Sequence, residues 1–207
     1  MKIGVFGTGG VGAYFGGRLA EAGNDVTFIA RGPHLESIRK NGLKVDSIEG
    51  DFVVKPANAT DDPVSAGEMD VVLLGVKAWQ VPEAAEAMRP MIGAQTFVVP
   101  LENGVEAPEQ LAAVLGGDHV VGGLCGLIAY IAEPGHVCHA GIKPIIKFGE
   151  LDNRPSQRVN ALRDLFSAVK GVDVEVPADI QVALWNKFLF VHSWGAVGAV
   201  ARVPVGV

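Results

Sequence analysis

The chain has 207 residues, 49% hydrophobic and 19% charged, with 27 glycines and a formal net charge of −6. This is a globular composition with ample apolar material for a core. Its acidic balance excludes a general nucleic-acid binder, which would need a basic stripe.

Residues 2–7, KIGVFG, form a short apolar run ending in glycine and predict a buried strand. Residues 11–22 have helical spacing and stop at Gly23, a residue suited to the position after a helix. NDVTFIAR, residues 24–31, predicts a second strand, and residues 32–42 a short helix closed by Gly42. Residues 43–54 alternate like a hairpin. DVVLLGVKA, residues 70–78, is the most strand-like run, followed by a helix near 82–89 and a strand in TFVVPLENG, residues 96–104. A helix is expected at 107–115, strands at 119–123 and 143–149, and a last strand in GVDVEV, residues 171–176. Strands alternating with helices predict crossover units and a mainly parallel sheet.

The character of the chain changes near Pro177. ADIQVALWNKFLFVHSWGAVGAVARV, residues 178–203, reads as a helix that is apolar on nearly every side and must pack within a larger helical assembly. The expectation is a domain over 1–177 and the start of a helical domain over 178–207, within a longer protein. A partner copy, as in a homodimer, is the other way to cover such a helix. The uncharged stretch between Lys187 and Arg202 is too short to span a membrane. Two cysteines, Cys125 and Cys138, without CxxC spacing, and an opening with no signal-peptide pattern point to a reducing cytoplasm.

The first motif is GTGGVG, with Gly7, Gly9 and Gly12 in GxGxxG spacing between a predicted strand and a predicted helix. That context makes Gly7, Thr8, Gly9, Gly10, Val11 and Gly12 a candidate dinucleotide-binding turn on a Rossmann-type, doubly wound α/β sheet. Gly7 permits the tight turn, Gly9 admits a pyrophosphate, and Gly12 lets helix and strand pack closely. An NAD site would place an acid at the end of the second strand. Here FIARG puts Arg31 there, and a guanidinium suits a 2′-phosphate, so the reading is NADP, with an exposed loop arginine as the alternative. Lys77 and Asn103 lie at strand ends, where ligands of parallel sheets bind, although Asn103-Gly104 also reads as a plain turn and Lys77 as a solvated loop lysine. Lys187 lies among Leu184, Trp185, Phe188, Leu189 and Phe190. On a helix it shares a face with Ile180, Ala183, Leu184 and Val191, with no acid at those offsets, so it is a catalytic cation or a snorkelling surface residue. His136, Cys138 and His139, in HVCH, do not match zinc-ligand spacing without a distant partner pair, and no metal is expected.

Taken together, GTGGVGAYFGGRLAEAGNDVTFIARG, GVKAWQ, ENGVE, GHVCHAG, KFGEL and WNKFLF follow the order found in ketopantoate reductases, and the whole chain resembles that family. The resemblance implies a Rossmann domain joined to an all-helical domain, with NADPH-dependent reduction of a small-molecule 2-keto acid to a 2-hydroxy acid, first of all 2-dehydropantoate. It implies that Lys187 protonates the forming alkoxide, that Asn103 holds substrate and nicotinamide, and that Arg31 and Lys77 serve NADPH. Three departures stand out: Glu102 replaces the usual glutamine, Val191 and Gly195 replace substrate-binding asparagines, and the family chain runs about a hundred residues further. Alternatives are a β-hydroxyacid dehydrogenase-like oxidoreductase and an NADP-binding module without catalysis.

Overall fold

A computed structural model describes residues 1–203. Strands β1 (Lys2–Phe6), β2 (Asp25–Ile29), β5 (Asn58–Thr60), β6 (Met69–Leu74) and β7 (Ile92–Pro100) form one sheet in the order β5-β2-β1-β6-β7, and every pairing in it is parallel. Helices α1 (Gly10–Glu21), α2 (Gly32–Asn41), α3 (Pro63–Ala66), α4 (Val81–Ala87) and α5 (Ala107–Leu115) connect or follow these strands. Side chains alternate across the sheet: Ile3, Val5, Val71, Leu73, Phe97 and Val99 pack with α1, whereas Phe6, Val72, Leu74 and Val98 pack with α4 and α5. Burial on both faces is why these strands read as unbroken apolar runs.

The remaining strands make a second, mixed sheet. The hairpin β3 (Leu43–Ser47) and β4 (Phe52–Val54) is antiparallel, as its alternation predicts. β3 pairs in parallel with β9 (His136–Gly149), which also pairs in parallel with β10 (Asp173–Glu175) and antiparallel with β8 (Gly122–Glu133). Helix α1 lies between the two sheets, and Val159, Leu162 and Phe166 of α6 (Gln157–Ser167) close the same core.

Several features depart from the expectations, among them β5 and α3, which fall in a stretch between the hairpin and residue 70 where no element is expected. The predicted strand at 119–123 begins only at Gly122 and runs to Glu133, because a 3-10 turn occupies 117–119. β9 starts seven residues earlier than the expected 143, its first half held by the β3 edge. The sequence reading assigned no helix to 157–167, although the Ser156 hydroxyl accepts the Val159 N–H at 3.2 Å and caps α6.

The final helix α7 (Ile180–Ala201) is capped by Asp179, whose carboxylate accepts the Val182 N–H at 3.0 Å. Ile180 and Leu184 bury against Leu124 of β8, while Trp185, Leu189, Phe190, Trp194, Val197 and Val200 stay exposed. An apolar face of that extent is unusual on a finished soluble surface. Among the described residues, no helix is long and apolar enough to cross a membrane.

Candidate active site

β1 ends at Phe6 and α1 begins at Gly10, so the chain must reverse within a few residues. Gly7 does this at φ +92°, a conformation costly for a residue with a Cβ. Gly12 contributes by close approach: a Cβ there would collide with the Gly7 carbonyl oxygen and come within 2.9 Å of Val5 Cγ1. Thr8 is buried, and its hydroxyl donates to the Ile29 carbonyl at 2.9 Å, tying the turn to the end of β2. Helix α1 has Gly9 at its N-cap, no side-chain cap and no acid in its first turn. Its leading amides and positive dipole end therefore remain available to an anion.

These residues open onto a cavity of about 570 Å³ at the carboxyl ends of the parallel strands. Gly7, Thr8, Gly9, Gly10 and Val11 form its floor, and Arg31 and His34 line the α2 side. Gly75, Val76, Lys77 and Gln80 line the β6 side, and Ala129, Tyr130 and Ile131 of β8 form a wall. Gly12 lies outside the lining and serves packing. Arg31 and Lys77 are exposed at the rim, and among the described residues neither side chain makes an ion pair. Gln80 Oε1 accepts the Lys77 N–H at 3.1 Å and sets the turn that presents this lysine. A glycine floor, a helix N-terminus and two unpaired cations make a fit for a phosphorylated dinucleotide.

Lys187 lies on the inward face of α7, one turn beyond the buried Leu184, and is half-buried rather than immersed in solvent. Burial lowers its pKa, while Cys125 and Glu102 nearby oppose that shift. Glu102 is only 7% exposed, and neither carboxyl oxygen has a hydrogen-bond partner. Burial pushes its pKa up to about 8 against the pull of the Glu102, Val76 and Leu101 amides and of Lys187. Cys125 is pushed up to about 11 by the same desolvation, and its thiol donates to the Leu101 carbonyl at 3.5 Å. Lys187 and Asn103 are outside the cavity lining, and Asn103 is exposed on the bend after β7. Val76 lines the cavity and is also among the groups acting on the Glu102 carboxyl, so the two regions adjoin there.

A family profile described as "Ketopantoate reductase PanE/ApbA" matches residues 3–153. The chain belongs to the ketopantoate reductase family. Members of this family are oxidoreductases acting on CH–OH groups, and they use NADPH. Over 209 residues the chain is 34% identical to "Uncharacterized oxidoreductase YkpB" of Bacillus subtilis, covering 100% of this chain and 67% of that protein. It is 29% identical over 194 residues to the 2-dehydropantoate 2-reductase of a Nostoc species, covering 91% of this chain and 60% of that one. The crystal structure of 2-dehydropantoate 2-reductase from Porphyromonas gingivalis superimposes with a TM-score of 0.92 at 32% identity, covering 100% of this chain and 74% of that one. The chain thus spans 60–67% of the length of these two curated relatives.

Within this ketopantoate reductase fold, the sequence reading missed the wall from β8 because it carried that strand no further than residue 123. It also missed His34. The Gly135 N–H donates to His34 Nδ1 at 3.0 Å, joining α2 to the β8–β9 turn, and burial lowers the pKa of the ring. The fold does supply a distant partner for the HVCH motif: His136 Nε2 lies 2.7 Å from Asp46 Oδ2 and 3.9 Å from Cys138 Sγ. Lys44 Nζ sits 3.0 Å from the other Asp46 oxygen. His139 points the opposite way and is buried, bonded to Ser47 Oγ at 2.8 Å and to the Ile142 carbonyl at 2.9 Å.

Proposed function

We propose that this chain carries the NADPH site and the proton-donating lysine of a 2-keto acid reductase, with 2-dehydropantoate as the first substrate to test. The observation that carries this reading is Lys187, a half-buried cation on the inward face of α7 with no ion-pair partner among the described residues. In this reading the amides of Gly7 to Val11 hold the pyrophosphate, with Gly12 bringing helix and strand together. Arg31 takes the 2′-phosphate and Lys77 the neighbouring anionic groups. NADPH, when bound, supplies the hydride that reduces the ketone carbon.

The chain's own residues manage charge and orientation. Lys187 places an ammonium where negative charge develops on the ketone oxygen, and gives up a proton from Nζ as the hydroxyl forms. Its lowered pKa makes it a readier acid than a solvated lysine. Asn103 offers an amide donor and acceptor for orienting substrate and nicotinamide. Val191 and Gly195 offer no amide on α7, which allows a different acid at this site. The domain reading, 1–177 for the nucleotide and 178–207 for the start of a helical domain, belongs to the same proposal. So do a cytoplasmic setting, supported by two free cysteines, and coverage of α7 by further helices or by a second copy.

The test is a panel of 2-keto acids assayed with NADPH on the longest available form of the chain, following loss of nicotinamide absorbance. Turnover of one or more 2-keto acids supports the reading. NADPH binding without turnover supports the second reading, a nucleotide-binding module, which the exposed position of Asn103 outside the cavity favours.

A further inference from the structure

The bend after β7 contains a group that packing alone does not explain. Leu101 and Glu102 are buried, and Val105 packs against the cluster of Leu124, Ile180 and Leu184, whose α7 members lie in the turns just before Lys187. A carboxyl withdrawn from water with neither oxygen hydrogen-bonded costs on the order of 1–3 kcal/mol. The ionisable groups facing this point are Glu102 from the bend, Cys125 from β8 and Lys187 from α7. We propose that Glu102 is a positioning residue for Lys187, its buried carboxyl serving as the ammonium's internal counter-charge. This rests on the reading of Lys187 as the proton donor.

Glu102 and Cys125 ionise far apart, which gives the Glu102–Lys187 pair two regimes. Cys125 stays a neutral thiol at any working pH, because its pKa is pushed up to about 11. Glu102 loses its proton at about 8. Below that point the carboxyl is neutral, and the Lys187 charge is free to attract the carboxylate of a 2-keto acid. Above it, the carboxylate neutralises the site, holds the ammonium in its charged form and competes with an anionic substrate.

The experiment reads Lys187 directly. In the 207-residue chain, lysines are reductively methylated with ¹³C-formaldehyde, the Lys187 signal is assigned by its loss in Lys187→Arg, and its chemical shift is followed against pH. Glu102→Gln is expected to lower the Lys187 midpoint by about one pH unit, tenfold in the proton equilibrium. Glu102→Asp should restore part of that change, and Cys125→Ser should leave the midpoint unchanged. In the active form, KM for an anionic 2-keto acid should rise between pH 7 and 9 with Glu102 and stay flat with glutamine. An unchanged Lys187 midpoint in Glu102→Gln, or a displacement produced instead by Cys125→Ser, overturns the proposal. A lowered midpoint in a protein that turns over no 2-keto acid leaves the counter-charge standing and counts against the reductase reading.

Discussion

Thr8 and Ile29 are joined twice: the Thr8 hydroxyl and the Thr8 N–H both donate to the Ile29 carbonyl, at 2.9 and 3.1 Å. This pair of bonds, one from side chain and one from backbone, fixes the glycine turn to the strand that ends just before Arg31. The phosphate floor and the arginine therefore move as one unit. Thr8→Val keeps the volume but loses the side-chain bond and leaves a valine methyl where the buried hydroxyl was. A hydrogen bond of this kind contributes ~1 kcal/mol, so NADPH and NADH affinities should both fall about fivefold. Fluorescence titration with each cofactor checks this; a loss confined to one of them would mean that Thr8 contacts the nucleotide selectively.

Arg31 should behave differently. It stands at the rim of the cavity with no ion-pair partner among the described residues, so its removal disturbs little else. Charge-assisted bonds contribute ~1.5–3 kcal/mol, which corresponds to roughly ten- to a hundredfold in affinity. Arg31→Ala is expected to weaken NADPH by that factor while NADH changes by less than about threefold. Equal losses for the two cofactors would remove the 2′-phosphate role.

Lys187→Ala tests the chemistry. General acid catalysis contributes about 10²–10⁴-fold, so kcat should fall by that range in the active form while the NADPH affinity stays within about twofold, because Lys187 is outside the nucleotide cavity. Stopped-flow and equilibrium binding separate the two quantities. Near-normal turnover would take Lys187 out of the mechanism.

The parts of this molecule that could be read from its sequence are those in which one local rule decides. The glycine turn is such a case: Gly7 needs a positive φ and Gly12 needs the absence of a Cβ, and both needs fall between one strand and the next helix. The inward face of α7 is another, since Ile180, Leu184 and Lys187 keep helical spacing whatever lies beneath them. β8 was harder, because Gly122, Gly123 and Gly126 interrupt its pattern and Ile128, Tyr130 and Ile131 are exposed, so no alternation marks it as half-buried. Helix α6 did carry a signal, Ser156 followed by Val159, Leu162 and Phe166 at spacings of three and four, but too few apolar residues to stand out from its polar neighbours. Glu102 could be seen as a departure from the family's glutamine. The proposed pairing with Lys187 could not, because it depends on α7 packing against β8.

The same carboxyl gives a prediction about stability. Glu102 has an ordinary pKa of 4.5 when unfolded and one raised to about 8 in the fold. Between those values the folded chain holds a proton that the unfolded chain has released, so stability must fall as pH rises. The stabilising state is complete below about 4.5 and is lost as pH climbs through about 8. A tenfold difference in proton affinity between the two states corresponds to ~1.4 kcal/mol, so the loss is on the order of 3–5 kcal/mol by pH 9. Glutamine cannot ionise, so Glu102→Gln should unfold at the same temperature as the parent near pH 5 and several degrees above it at pH 9. Thermal unfolding across that range provides the measurement. A parent and variant that remain parallel at every pH would mean that Glu102 ionises in the fold as easily as it does in water, and that the bend after β7 is wetter than its burial indicates.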